Sequence, residues 1–241
     1  VNLILDIGNT SSKIAVTENG QLSKFWIEDG VVDINRIYDL IGNLKISKAI
    51  VSSVVLGVDH LVDQLNNSFD NCVKLTYKTR VPFTLEYKSP ASLGNDRIAL
   101  AAYGAEHFKG SNMLLIDAGS CVTFEFVNHK NQYLGGAISP GLMMRFKSLN
   151  QYTSKLPLVS SSEFYELTGQ TTEESIWVGV QRGIINEIDG AITDYQNKYQ
   201  DLKVLITGGD HNFLHRRLKS NTFAHPNAVI LGLDRILEFN A

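Results

Sequence analysis

Three short stretches hold residue types that could do chemistry together. In Asp6-Ile7-Gly8-Asn9 an apolar run ends in a carboxylate, then a glycine and small polar residues; Asp117-Ala118-Gly119-Ser120 repeats that design about one domain length later. A glycine turn at a strand end lets backbone N–H groups approach an anion, and the adjacent aspartate can hold Mg2+ directly or through water. Two such turns facing each other would clamp a polyphosphate. One turn alone is equally well explained by a Gly-Asn hairpin, but a second copy and the further glycine pair Gly208-Gly209 make coincidence a poor account. The third stretch, Tyr87 to Ala105, places Asp96 and Arg97 in the first turns of an expected helix. An aspartate can accept the proton of an attacking hydroxyl and an arginine can hold a carboxylate bidentately, which suits a substrate carrying both groups. Taken locally, the pair also reads as a carboxylate complementing the helix dipole beside an exposed arginine. The sequence has no Walker-type loop ending in Lys-Ser/Thr and no dinucleotide fingerprint.

Hydrophobic periodicity supplies the elements that must position these residues. It predicts strands over 3–7, 12–16 and 24–27, a helix over 34–41, a strand over 49–53, a helix over 58–65, a strand over 83–87 and a helix over 93–108. The pattern then restarts over 113–127 as an internal repeat. A strand around 133–138, a Ser-Pro-Gly turn at 139–141 and a helix toward Tyr152 follow. Thr171 opens a long helix with a capping box, Thr171-x-x-Glu174. A buried strand stops at Gly208-Gly209, and helices near 211–218 and 229–239 close the pattern. The layout is α/β, with a boundary near residues 110–112.

Composition narrows the class. The 241 residues suffice for one large domain or two small ones. A net charge of −3, a pI near 6.1 and the lack of a basic cluster argue against a nucleic-acid partner. With no secretory pattern and no apolar run near the ~20 residues of a membrane helix, the expectation is a cytoplasmic protein with no membrane partner. Cys72 and Cys121 cannot by themselves build a disulfide framework or a closed zinc site, and both read as small buried hydrophobes. His211 and His215 stand four apart, a spacing two metal ligands can use, but with no Glu between them and no obvious third ligand the spacing argues little for zinc. Trp177, Val178 and Val180 read as core; Lys13 reads equally as a solvated strand residue or a phosphate contact, and Thr172 as part of a helix cap.

Taken in order, these motifs resemble the type III pantothenate kinases of the actin, sugar-kinase and heat-shock-chaperone superfamily, nearly end to end. The first phosphate motif stands at Asp6 to Thr10, and the Tyr-x-x-Pro…Gly-x-Asp-Arg substrate motif at Tyr87, Pro90, Gly94, Asp96 and Arg97. The second phosphate motif stands at Asp117, Gly119, Ser120 and Thr123, and the Gly-Gly-x-Ile-x-Pro-Gly segment at Gly135 to Gly141. Thr171-Thr172 and Thr207 to Gly209 also match. One departure is Ser120-Cys121 in place of Thr-Ala, which keeps the hydroxyl and loses a methyl. The resemblance implies two ribonuclease-H-like, actin-like ATPase domains, 1–111 and 112–241, with a nucleotide cleft between them.

It further implies that Asp6, Ile7, Gly8, Asn9, Thr10, Ser11, Ser12, Lys13 and Ser120 contact ATP, with Asp6 near Mg2+. Asp117 would bind an activating K+ or NH4+. Tyr87, Gly94, Asn95, Asp96, Arg97 and Thr172 would line the pantothenate site, with Asp96 as proton acceptor, in a homodimer whose substrate site lies at or near the subunit interface. The implied reaction is in-line transfer of the γ-phosphoryl group of ATP to the primary hydroxyl of pantothenate, the first committed step toward coenzyme A. Two rival readings are a kinase of the same superfamily for another small molecule, which would have less need of Arg97, and a non-catalytic transcriptional regulator on the same fold.

Overall fold

A computed structural model of the chain describes residues 1–8, 11–55 and 57–241. They form two compact units: Val1–Lys109 with Asn131–Tyr133 and Asn227–Ala241, and Gly110–Lys130 with Leu134–Pro226. In the first, β1 (Asn2–Ile7), β2 (Ser11–Glu18) and β3 (Gln21–Asp29) make an antiparallel meander, and β4 (Lys48–Ser53) and β5 (Asn71–Lys74) continue it in parallel on the other side of β1. The order is β3-β2-β1-β4-β5. Strand alternation sorts β1 onto two faces. Leu3, Leu5 and Ile7 join the core beneath α1 (Ile34–Ile41) and α2 (Asp59–Asn66). Asn2, Ile4 and Asp6 take the opposite face, where α8 (Ala228–Phe239) packs on β1, β2 and β4. The buried Asp234 of α8 accepts hydrogen bonds from Asn2 Nδ2 at 2.8 Å and Thr17 Oγ1 at 2.5 Å. Beside it lies α3 (Asn95–His107), so close that a Cβ on Gly232 would overlap the Ala99 carbonyl.

The second unit repeats this plan. The hairpin of β7 (Met113–Ala118) and β8 (Cys121–Val127) leads to β9 (Gln132–Pro140), and β10 (Lys203–Thr207) and β11 (Phe223–Ala224) run parallel beyond β7. Its strands follow one another as β11-β10-β7-β8-β9, the same circuit as in the first sheet. The internal repeat read from Asp6 and Asp117 therefore extends to strand order. Ile116, Ala118 and Phe124 bury against α4 (Leu142–Gln151), α6 (Gly183–Lys198) and α7 (His211–His215). The helix opened by Thr171 runs as α5 (Thr172–Trp177), a π-helical turn over Val178–Arg182, and α6. Val180 joins the core, and Trp177 packs against it while donating Nε1–H to the Ser160 carbonyl at 2.9 Å.

Several elements differ from the periodicity. β6 covers only Thr84–Leu85, because its ladder, with Gln132 and Tyr133, is that short. β9 runs through Pro140, and Gly141 caps α4, so the Ser-Pro-Gly stretch is strand end and cap. α7 stops at His215; the His211 ring bonds the Gly208 carbonyl and the His215 ring bonds Thr222. Residues 227–241, expected in the second domain, belong to the first unit, because α8 buries both its apolar and its Asp234 faces there. Among the described residues no helix is long and apolar enough to cross a membrane.

Candidate active site

Asp6 closes β1, and the sheet register decides its neighbours. Lys13 stands opposite it on β2 and Ser52 on β4. Ser52 Oγ donates to Asp6 Oδ1 at 3.0 Å, and Lys13 Nζ lies 3.7 Å from Oδ2. Burial raises the Asp6 carboxyl above its ordinary value; Lys13 and the Ser52 hydroxyl pull it down, and the charge of Asp96 pushes it up. A desolvated carboxylate with a second carboxylate near it fits a hard divalent cation. In the turn that follows, Gly8 N–H donates to the Ser11 carbonyl at 2.9 Å. Asn9 and Thr10 lie outside the described residues. Ile7 and Ser12 serve the fold through their side chains: Ile7 is core, and the buried Ser12 Oγ donates to the Gly30 carbonyl at 2.6 Å and accepts from Val32 N–H.

The expected helix start is present, and the unit brings it to Asp6. Gly94 is the N-cap of α3, and Asp96 Oδ1 accepts the backbone N–H of Arg97 at 2.9 Å. A side chain on Gly94 would meet that carboxylate oxygen and turn it aside. Asn95 Nδ2 donates to the carbonyls of Ser53 at 3.3 Å and Leu75 at 3.2 Å. Arg97 is only 6% exposed, which removes the exposed-arginine reading, and its guanidinium carbon lies 5.9 Å from the centre of the Tyr87 ring. Tyr87 in turn packs on Tyr133, with centroids 6.0 Å apart.

The second turn is held by two further glycine segments. Gly119 N–H donates to the Cys121 carbonyl at 2.9 Å, and Gly141 N–H to the Ser120 carbonyl at 3.1 Å. Gly141 sits so near the Gly119 and Ser120 carbonyls that any Cβ would displace the turn. Gly208, at φ +92°, packs in the same way on Asp117 and Ala118, and the N–H of Asp210 reaches the Ala118 carbonyl at 2.9 Å. Asp117 occupies the place of Asp6, but the register sets the buried hydroxyls of Thr123 and Thr207 opposite it where Asp6 has Lys13 and Ser52. Burial also raises the Asp210 carboxyl. Ser120 is exposed beside half-buried Cys121.

Thr172 is the first residue after the N-cap of α5. Thr171 Oγ1 accepts from Glu174 N–H at 3.2 Å, and Glu174 Oε2 accepts from Thr171 N–H at 3.1 Å, which completes the capping box. Thr172 itself is exposed and lines a hollow of about 590 Å³ with Leu149, Leu156 and Gln170. Within the first unit the fold thus brings together Asp6, Lys13, Asp96, Arg97 and Tyr87. The second unit carries Asp117, Ser120 and Thr172. Ser52 and Asp210 escaped the motif reading; a small residue at the matching β4 position was the available signal for the first.

A family model described as type III pantothenate kinase matches residues 2–194. A type III pantothenate kinase of Christiangramia forsetii is 41% identical over 245 residues, covering 100% of this chain and 99% of that protein. That of Phocaeicola vulgatus is 40% identical, with 100% and 99% covered. Among solved structures, one titled as a Baf family transcriptional activator of Campylobacter jejuni superposes with a TM-score of 0.67 at 22% identity, covering 99% of this chain and 98% of that one. A ROK family glucokinase of Streptomyces griseus, solved with glucose and AMPPNP, gives 0.56 at 10% identity, with 99% of each chain covered. The two solved structures share the fold of this chain, a two-domain, actin-like nucleotide-binding architecture.

Proposed function

The chain belongs to the type III pantothenate kinases, and on that premise we propose how its residues divide the work. The reaction is ATP-dependent phosphorylation of pantothenate, the first step of coenzyme A biosynthesis. When bound, Mg2+ neutralises charge on the transferring phosphoryl group. Asp6 holds that ion, directly or through water. Lys13 and the backbone of Gly8, Ser11 and Ser12 contact ATP, as does Ser120 of the second turn. Asp96 accepts the proton of the attacking primary hydroxyl. Arg97, backed by the Tyr87 ring, binds the pantothenate carboxylate, and the buried setting strengthens that charge-assisted contact. Asp117, set among hydroxyls, takes K+ or NH4+. Thr172 lines the substrate site in a homodimer, and the enzyme works in the cytoplasm.

The observation that carries this reading is the pair of carboxylates in the first unit, Asp6 held by Ser52 and Lys13 and Asp96 in the first turn of α3, whose charge acts on Asp6. One of them serves the metal and the other the hydroxyl proton. Asp96→Asn is expected to lower kcat by roughly 10²–10⁴, as removal of a general base does, with little change in either KM; near-normal turnover would remove the base assignment. ADP release from Mg-ATP with and without pantothenate, in sodium and then potassium or ammonium buffer, tests acceptor and cation together. ATP binding without pantothenate-dependent release would favour another hydroxylated acceptor or a regulator.

A further inference from the structure

We propose that Asn95 is a positioning residue, whose side-chain amide fixes the start of α3 to the end of β4 and so sets the Asp96 carboxylate beside Asp6. The proposal rests on the reading of Asp96 as the base.

β4 ends in Ser52-Ser53, in parallel register with Asp6-Ile7. Ser52 Oγ holds Asp6 Oδ1 at 3.0 Å, and the next residue, Ser53, offers its carbonyl to Asn95 Nδ2 at 3.3 Å. The same amide reaches the Leu75 carbonyl at 3.2 Å, just beyond β5. Both donor hydrogens of the Asn95 amide are thus committed to backbone carbonyls of the sheet, which an amide nitrogen can satisfy and a carboxylate cannot. Two adjacent residues of one strand thereby mount both carboxylates of the site. The cap of α3 is Gly94, so no capping side chain helps to hold the helix start. An amide spent on two carbonyls has no donor left for pantothenate, which moves Asn95 from substrate contact to support.

The experiment measures kcat and both KM values for Asn95→Ala, Asp96→Asn and the double variant. Asn95→Ala is expected to lose roughly ten- to a hundredfold in kcat, the cost of a misplaced reacting group, while KM for pantothenate stays within about twofold. In the Asp96→Asn background the same substitution is expected to change kcat by less than about twofold, because the group it positions is gone. A raised pantothenate KM at unchanged kcat would overturn the proposal by restoring a substrate contact. So would an undiminished loss in the Asp96→Asn background. If Asn95→Ala does not fold, Asn95→Ser, which keeps one donor, replaces it, and failure of both to fold overturns the proposal by making Asn95 a stability residue. Normal turnover of Asp96→Asn alone sinks the base reading instead, and so separates the two failures.

Discussion

Burial raises the Asp6 carboxyl above its ordinary value, so ionising it costs the folded chain more than the unfolded one. A carboxyl whose folded pKa exceeds its unfolded one adds stability below the unfolded value and loses that contribution as pH rises through the folded value. Asp6→Asn is therefore expected to melt above the unchanged protein at pH 7 without nucleotide, the gap closing at acid pH, while phosphoryl transfer is lost; melting curves across pH check it, and a lower melting point at pH 7 would refute it. Arg97→Ala is expected to raise KM for pantothenate selectively, and an equal rise for ATP in steady-state kinetics would contradict the carboxylate contact. The carboxylates and Arg97 were legible because turn chemistry and helix starts are local in sequence. Ser52 and the anchoring bonds of Asn95 were not: their partners lie 46 and 42 residues away and meet them only through sheet register and the docking of a helix end.

Elements were readable where burial has a period. The long helices show one, while β1, β4, β7, β8 and β10 were readable as continuous buried runs; β5 and β11 are short edge strands whose reason to exist is a neighbour's backbone. The π-helical turn inside the Thr171 helix left no mark in the apolar pattern. Helix crossing was equally silent, since Gly232 looks like a weak helix residue and works as a contact. Gly232→Ala would gain helix propensity of about 1 kcal/mol, yet its methyl must enter the space of the Ala99 carbonyl, an overpacking that typically costs about 1–3 kcal/mol. Net destabilisation is expected, read as a lower urea midpoint at unchanged slope; a rise in midpoint would show that the two helices have room to separate.

For the whole molecule, duplication was legible and partition was not. The Asp-x-Gly turns announced two copies of one plan, and the strand orders agree with that. Nothing in the pattern of residues 229–239 says which sheet the helix will cover, because a helix apolar on most sides fits either. The answer lies in Asp234, which Asn2 and Thr17 of the first unit satisfy. A chain cut before Asn227 is expected to leave those donors and the inner side of α3 uncovered, and to bind a hydrophobic dye and lose cooperative unfolding; a sharp, dye-free transition would refute it. The same arrangement governs how the protein is made. Translation at about 5–20 residues per second completes the whole second unit before α8 is synthesised, so the nascent first sheet waits on the order of ten seconds with one face bare. During that interval the first unit offers bare apolar surface to any chaperone at the ribosome exit, and its maturation waits on α8.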